Sequence, residues 1–302
     1  MLHGVDLDIP AGGTLGIVGE SGCGKSVAML AVMGLLGKRG RARGSVVLDG
    51  TEILGLAEPA LERVRGKRIA MIFQDPMSSL NPVHRIGTQI GEALALHRGM
   101  TGAPARAEAA RLLDRVGIAS ARQRLNEYPH QLSGGMNQRA MIAMALAGEP
   151  DVLIADEPTT ALDVTIQAQI LDLLRVLQRE EGMSIALITH DLGVVAEMAQ
   201  EVAVMYCGRV VERARADDLF AHPRHPYTRG LLASLPRFDR AAEALNPIPG
   251  TVPDAARLPP GCAFAPRCGL AAPICGERVP ALRDAAPDHR VACPFDAEGL
   301  PA

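Results

Sequence analysis

Runs of apolar residues alternate with stretches of helical spacing along most of the chain. Five short runs predict strands: Gly13–Val18, Ile69–Phe73, Val152–Ala155, Ser184–Thr189 and Val202–Tyr206. Strands that alternate with helices indicate a parallel sheet with helices on its faces. The pattern therefore predicts an α/β fold. A further run, Ser45–Leu48, is expected to form part of a small antiparallel flank.

Two regions depart from this alternation. At about 76–148 the strand signal disappears and helical spacing dominates, which predicts a helical subdomain. From about Pro236 onward the composition changes, since 12 of the 22 prolines lie in the last 67 residues. Regular helices are not expected to dominate such a segment. We therefore expect a main domain at 1–235 and a Pro- and Cys-rich C-terminal extension at 236–302.

Composition narrows the class of protein. The chain has 302 residues, 48% of them hydrophobic, which is enough for a substantial core. A net charge of −3 and a pI near 6.3 give no reason to expect a nucleic-acid-binding surface. No uncharged apolar run approaches the roughly 20 residues that span a bilayer, and the N-terminus lacks the pattern of a secretion signal. We expect the protein to stay in the cytoplasm and to reach the membrane only through a partner.

One glycine-rich run carries the clearest chemistry. It fits the pattern G-x-x-x-x-G-K-[ST] and consists of Gly19, Glu20, Ser21, Gly22, Cys23, Gly24, Lys25 and Ser26. Because a predicted strand precedes it and an apolar helical stretch, Val27–Leu36, follows it, its backbone N–H groups and a helix dipole would face an anion. Lys25 would reach the β- and γ-phosphates of a nucleotide, and the Ser26 hydroxyl would ligate Mg²⁺. The alternative is a glycine-rich turn that binds nothing.

A second element supplies two carboxylates. The apolar run Val152–Ala155 predicts a strand buried on both faces, and Asp156 and Glu157 follow at its C-terminal end. Ligands of open α/β sheets bind at that end. Asp156 suits a Mg²⁺ partner, and Glu157 suits a general base for an attacking water, worth ~10²–10⁴-fold in rate. The alternative is that Glu157 is an acidic N-cap for the helix after Pro158.

A third motif opens the helix that runs to Ala147. Ser133 is a plausible N-cap, and Gly134 and Gly135 would let a phosphate approach the helix N-terminus closely. A plain capped helix start is the alternative. One phosphate loop already serves one nucleotide, so a single subunit does not need a second helix N-terminus that binds anions. Such a helix N-terminus is useful if it closes over a nucleotide held by another subunit.

Together these motifs resemble the ATP-binding subunits of ABC transporters over nearly the whole chain. The phosphate loop matches Walker A, Val152–Glu157 matches Walker B, and Leu132–Arg139 resembles the family signature. Three further motifs follow the family order: the Q-loop at Gln74, the D-loop at Ala161-Leu162-Asp163 and the switch histidine His190.

The resemblance implies roles for these residues. Gln74 would sense Mg²⁺ and the attacking water while touching a membrane partner, so that Ser26, Gln74 and Asp156 form the Mg²⁺ set. His190 would contact the γ-phosphate, and Asp163 would cross a dimer interface. Two such domains would sandwich two ATP molecules between the Walker A motif of one and the signature of the other.

Several segments are similar to the peptide-importer branch of the family: Met71–Leu94, Asp156–Thr165 and His225–Thr228. Ser26-Val27 and the long tail most resemble the dipeptide-importer D-type ATPase subunit, although importers of oligopeptides, nickel or glutathione share much of the pattern. The implied function is ATP hydrolysis that powers peptide import. The implied partners are a second ATPase, expected to be a paralogue, two permeases and an extracytoplasmic peptide-binding protein, with the chain peripheral on the cytoplasmic face of the inner membrane.

Two alternatives from other classes were weighed. A soluble ABC-type ATPase acting on DNA or the ribosome would be expected to show basic patches, coiled-coil insertions or duplicated cassettes, and the sequence has none of these. A non-hydrolysing regulatory subunit would be expected to lack Glu157 or His190, and both are present.

Two departures from the family pattern stand out. Asn137 replaces a longer basic or amide residue, which is expected to weaken a contact near the dimer interface. The family also has an upstream strand and an aromatic residue that stacks on adenine, but no aromatic residue precedes Phe73 here. We interpret this as a shortened N-terminus. Stacking is worth on the order of 1–3 kcal/mol, so we expect roughly 5- to 150-fold weaker ATP binding than for a version extended upstream.

The tail contains four of the six cysteines, spaced C-x5-C-x6-C-x17-C: Cys262, Cys268, Cys275 and Cys293. Since disulfides rarely persist in the cytosol, this cluster points to a metal. Structural zinc usually has tighter pairs, and the known ferredoxin spacings differ too. The family resemblance favours a 4Fe-4S cluster, while zinc, or packing without metal, remains the alternative. Cys23 is expected to be oxidation-sensitive because it lies near a helix N-terminus.

Overall fold

The computed structural model describes residues 1–38, 40–160, 162–235, 247–255 and 257–295. These residues form ten strands: β1 (Thr14–Val18), β2 (Val47–Leu48), β3 (Thr51–Glu52), β4 (Ile69–Ile72), β5 (Val152–Asp156), β6 (Ser184–Ile188), β7 (Glu201–Tyr206), β8 (Arg209–Arg215), β9 (Arg283–Ala286) and β10 (His289–Val291). The five predicted long strands are thus confirmed to within one residue at each end.

The described residues also form twelve α-helices: α1 (Lys25–Val32), α2 (Glu58–Leu61), α3 (Pro76–Ser79), α4 (Ile86–Arg98), α5 (Gly102–Arg115), α6 (Ala121–Arg124), α7 (Gly134–Leu146), α8 (Val164–Glu181), α9 (Leu192–Met198), α10 (Ala216–Ala221), α11 (Pro226–Ala233) and α12 (Pro273–Glu277). Two short 3-10 helices lie at Pro129–Gln131 and Ala265–Arg267. Among these residues, no helix combines the length and the apolar composition needed to cross a membrane.

Helix α1 is shorter than the predicted Val27–Leu36. It ends at Val32 because Gly34 adopts a φ of 63°, a left-handed conformation in which an α-helix cannot continue. The Leu35 N–H then donates to the Leu30 carbonyl at 2.8 Å, and the Gly34 N–H donates to the Ala31 carbonyl at 3.1 Å. This pair of bonds is a Schellman motif, which satisfies the last carbonyls of the helix.

The chain divides into two compact units. One unit comprises Met1–Asp8, Leu15–Ala28 and Thr189–Ala302, and the other comprises Ile9–Thr14 and Met29–Ile188. In the second unit β4, β5 and β6 pair in parallel, with Ile69 opposite Val152 and Val152 opposite Ser184. The segment from α3 to α7 carries the helical part of this unit, as predicted. The small antiparallel pair β2–β3 turns at Asp49-Gly50, where both residues have positive φ.

In the first unit β1 pairs in parallel with β7, and β8, β10 and β9 continue the sheet antiparallel. The C-terminal segment therefore adds two strands to a sheet that begins next to the phosphate loop. The hydrophobic core of this unit contains residues of both β7 and the C-terminal segment. Tyr206, Tyr227 and Phe264 are buried in one cluster with their ring centroids 4.6–5.4 Å apart. The boundary predicted between residues 235 and 236 falls at the edge of 236–246, which lie outside the described residues.

Candidate functional site

The phosphate loop follows β1 and leads directly into α1, as the motif predicted. Gly19, Gly22 and Gly24 have φ values of 153°, 79° and 103°, which side-chain-bearing residues rarely adopt. A Cβ on Gly19 would lie 2.2 Å from the Met205 carbonyl oxygen and 2.9 Å from the Cys23 sulfur. Only glycine fits this position, so the backbone of the loop is tightly specified.

Lys25 points back into this loop. Its ammonium group donates to the carbonyl oxygens of Gly19, at 2.7 Å, and Glu20, at 3.2 Å, and the residue is only 6% exposed. These carbonyls solvate the ammonium but do not neutralise its charge. A buried cation in this state attracts an anion, which is what a phosphate-binding lysine requires.

Cys23 does not have the reactivity expected from its place in the loop. It is 2% exposed, and burial raises the pKa of its thiol, although the neighbouring Lys25 ammonium acts in the opposite direction. Because the thiolate is the reactive form, a raised pKa makes the side chain inert. The expectation of an oxidation-sensitive thiol is therefore wrong for the folded chain.

The carboxylate pair lies at the C-terminal end of β5. Asp156 is buried, and Glu157 has a φ of 47°, a left-handed conformation that costs about 1–3 kcal/mol for a residue other than glycine. The Glu157 Oε2 atom accepts hydrogen bonds from Gln74 Nε2 at 2.9 Å and from Thr160 Oγ1 at 2.8 Å. The structure thus brings two of the predicted site residues, Gln74 and Glu157, into contact.

The N-cap alternative for Glu157 is wrong. Helix α8 begins at Val164, and its N-cap is Asp163, whose carboxylate accepts from the Ile166 N–H at 3.0 Å. A carboxylate fixed by two donors can hold and deprotonate a water molecule, which is the work of a general base. Thr160 was missed by the sequence analysis, since a threonine one turn after a carboxylate carries no distinctive signal.

The signature segment is accessible to solvent at the start of α7. Ser133 is the N-cap of α7, as predicted, and its Oγ accepts from the Met136 N–H at 3.3 Å. Ser133 and Gly134 are exposed, and among the described residues a Cβ on Gly134 would meet only Leu162, at 3.9 Å. A Cβ on Gly135 would instead lie 2.9 Å from Ile166, so this glycine permits close packing against α8.

Asn137 lies inside the protein rather than at a surface. It is 1% exposed, and its amide nitrogen donates to the Pro129 carbonyl at 2.9 Å and to the Met77 sulfur at 3.3 Å. The expectation that Asn137 weakens a contact near the dimer interface stays a prediction. The residue joins the segment after the Q-loop to the segment before the signature.

The switch histidine follows β6 and is exposed. The next residue, Asp191, caps α9 by accepting from the Gly193 N–H at 2.9 Å and the Val194 N–H at 3.3 Å. His190 therefore stands at the start of a well-capped helix. Its predicted contact with a γ-phosphate stays a prediction.

The four tail cysteines converge. Cys262, Cys268, Cys275 and Cys293 line one cavity, together with residues that include His225. Burial raises the pKa of Cys262 and Cys268, and it raises the pKa of Cys293 to about 11. Among the described residues, however, no group of three or more His, Cys, Asp or Glu side chains is arranged to hold a metal ion.

Known proteins resemble the chain in both sequence and structure. The family model "ABC transporter" matches residues 2–160, and "Oligopeptide/dipeptide transporter, C-terminal region" matches residues 211–275. The oligopeptide transport ATP-binding protein OppD of Salmonella typhimurium is 54% identical over 267 residues, covering 88% of this chain and 80% of OppD. The corresponding protein AppD of Bacillus subtilis is 53% identical over 272 residues, covering 89% of this chain and 83% of AppD.

Solved structures agree. The dimeric ATP-binding cassette MJ0796 bound to ADP and Pi is similar with a TM-score of 0.63 at 30% identity, covering 71% of this chain and 90% of that one. The chain therefore belongs to the ABC transporter family and is an ATPase of that family. Within it, the chain belongs to the branch with the oligopeptide/dipeptide C-terminal region. The expected family and fold class are confirmed.

Proposed function

We propose that this chain binds ATP with Mg²⁺ and hydrolyses it to power the import of oligopeptides or dipeptides. The observation that carries the hydrolytic part is the Glu157 carboxylate, held by Gln74 and Thr160. The peptide part rests on the C-terminal region and on relatives that are named oligopeptide transport ATP-binding proteins. Nickel and glutathione, the other solutes considered, have no such support.

Each site residue has a role in this proposal. The phosphate loop binds the nucleotide through its backbone N–H groups, and Lys25 moves from the loop carbonyls to the β- and γ-phosphates. Ser26, Gln74 and Asp156 would hold Mg²⁺, which would supply neutralisation of charge on the transferred phosphoryl group. Glu157 deprotonates the attacking water and His190 contacts the γ-phosphate. Catalysis is then mainly positioning and charge stabilisation.

The exposed end of α7 supports a paired ATPase. Ser133 and Gly134 present backbone N–H groups at the start of a 13-residue helix, a position that suits the phosphates of a nucleotide held by another subunit. Asp163 would lie at the same interface. The second subunit is proposed to be a paralogue, and two permeases and an extracytoplasmic peptide-binding protein complete the importer at the cytoplasmic face of the inner membrane.

Purification of the tagged chain from gently solubilised native membranes tests this assembly. Mass spectrometry should find two permeases and a second ATPase in comparable amounts. A tagged variant that has Ser133→Arg should still co-purify with them and bind ATP in its own phosphate loop, but lose hydrolysis at the nucleotide site of the partner subunit. Recovery of the chain only as a soluble species, or with ribosomes or DNA, would contradict transport and leave the ATPase chemistry intact.

A second proposal concerns the tail. Four thiols line one cavity, and four thiolates are the ligand set of a 4Fe-4S cluster as well as of one kind of structural zinc site. The family resemblance favours the cluster, which we propose here. Cys262, Cys268, Cys275 and Cys293 would bind it as thiolates, and the cluster would supply structural cross-linking of the tail. Iron and acid-labile sulfide in anaerobically purified protein test this. Zinc in their place, or no metal, would contradict it.

A further inference from the structure

Glu20, the second residue of the phosphate loop, forms an ion pair with Arg267, a residue near the C-terminus. The guanidinium group of Arg267 makes a forked pair of hydrogen bonds to its carboxylate, from Nη1 to Oε2 at 2.7 Å and from Nη2 to Oε1 at 3.0 Å. Forked arginine–carboxylate pairs are among the strongest and most directional hydrogen bonds in proteins. The two residues are 247 positions apart.

The backbone of Glu20 is held as well. Its N–H donates to the hydroxyl of Tyr227 at 2.8 Å. Its carbonyl oxygen accepts from the Cys23 N–H at 3.3 Å and from the Lys25 ammonium at 3.2 Å. When Lys25 turns toward a phosphate, the contacts from Tyr227 and Arg267 remain. The loop is then secured by residues outside its own motif.

Arg267 is itself fixed before it meets the loop. Its side chain is 4% exposed, its Nε donates to the Pro249 carbonyl at 2.9 Å, and its Nη1 also reaches the Tyr206 hydroxyl at 3.3 Å. Its guanidinium carbon lies 5.9 Å from the ring centroid of Tyr206 and 6.0 Å from that of Phe264. The conformation of this side chain is therefore set by contacts with β7 and with the C-terminal region.

We propose that Arg267 is a positioning residue for the phosphate loop, through which the C-terminal region sets the affinity of the chain for ATP. The physical reason is preorganisation. A loop that already has its bound shape loses less conformational freedom when the nucleotide arrives, and affinity rises accordingly. This inference rests on the proposed binding of ATP, and it assigns to the tail a direct effect on that binding.

The experiment compares ATP affinity in matched arginine variants of the full chain. Arg267→Met keeps most of the apolar contact with Tyr206 and Phe264 but removes the fork. We expect it to weaken equilibrium binding of a fluorescent ATP analogue about tenfold, the size expected when the ligand must order the loop itself. At saturating ATP, kcat should change much less than KM, because Arg267 acts on the shape of the loop through Glu20 and not on the Glu157 carboxylate.

Arg213→Met is the control. Arg213 is also largely buried, and it donates from β8 to the Glu201 carboxylate of β7 at 2.7 Å and to Asp8 at 2.7 Å, with no hydrogen bond or ion pair to the phosphate loop among the described residues. It should lower the melting temperature to a comparable extent and leave the ATP dissociation constant unchanged. If Arg267→Met also lowers only the melting temperature, Arg267 is merely structural and the inference is overturned.

A double-mutant cycle identifies the partner. If Arg267 acts through Glu20, the variant that combines Arg267→Met with Glu20→Gln should bind ATP no more weakly than Arg267→Met alone. Additive losses would contradict this route. A wild-type chain that fails to bind ATP would count against the proposed function instead, so the two failures are distinguishable.

Discussion

The phosphate loop follows the buried parallel strand β1, and Glu157 follows the buried parallel strand β5. The side chains that hold Glu20 and Glu157 in place come from different parts of the chain. Glu157 is held by Thr160, three positions along the chain, and by Gln74, 83 positions away. Glu20 is held by Tyr227 and Arg267, at separations of 207 and 247 positions. The Glu157 carboxylate is thus held by residues in or near the ATPase motifs, whereas Glu20 of the phosphate loop is held by residues much closer to the C-terminus.

The two regions are therefore expected to control different properties. In the proposed mechanism the residues around Glu157 act on the attacking water, so changes there should appear in the turnover number. The residues around Glu20 are proposed to act on the shape of the loop before hydrolysis, so changes there should appear in ATP affinity. The largest effect is expected from a change of Glu157 itself. Smaller effects are expected from changes of the residues that hold Glu157 and of those that hold the phosphate loop.

Glu157→Gln should give the largest effect. The amide cannot accept a proton from water, so turnover should fall by about 10²–10⁴-fold while ATP affinity is retained. Glu149→Gln is a matched control, since Glu149 also has a positive φ, 56°, and lies at the surface beside Arg98. It should leave turnover unchanged. Substantial hydrolysis by the Glu157 variant, measured as phosphate release, would assign the base to another residue.

Thr160→Val should reduce turnover by about tenfold, because it removes one hydrogen bond to a charged group while conserving shape. ATP affinity should stay within about twofold, since Thr160 belongs to the support of Glu157 and not to that of the loop. Thr101→Val is the control, because Thr101 is exposed and makes no side-chain capping bond. A loss of ATP affinity equal to the loss of turnover would remove the distinction between the two regions.

The same comparison explains what the sequence could predict. The strands, the phosphate loop, the Ser133 cap and the place of Glu157 follow from local patterns, because a strand, a glycine turn or a helix start is specified by neighbouring residues. The family resemblance placed Gln74 and Glu157 in one site, but their hydrogen bond is a finding of the structure. Nothing local distinguishes Arg267 from other arginines in a Pro-rich tail, so its contact with Glu20 could be found only in three dimensions.

Burial explains why one expectation failed. Cys23 is expected to be reactive from its place near a helix N-terminus, but burial acts more strongly on its pKa than the neighbouring ammonium does. The motif gives the position of Cys23 along the chain correctly, and the depth of the side chain in the fold decides its chemistry.

Cys268→Ser gives the smallest and most discriminating effect. Cys268 follows Arg267 directly, at the end of the 3-10 helix Ala265–Arg267. If the tail binds a 4Fe-4S cluster, this variant should lose iron and acid-labile sulfide, and ATP affinity should fall about two- to fivefold. The fall should be smaller than that of Arg267→Met, because the arginine fork remains and only its support is loosened.

Cys207→Ser serves as the control for metal content, since Cys207 is buried in the β7–β8 turn and does not line the cysteine cavity. It should retain iron and sulfide in full. If Cys268→Ser loses the cluster but keeps its ATP affinity, the tail holds Arg267 in place without help from the cluster. The dependence of the phosphate loop on the C-terminal region would then rest on packing around Tyr206 and Phe264 alone, and the cluster would need a different role.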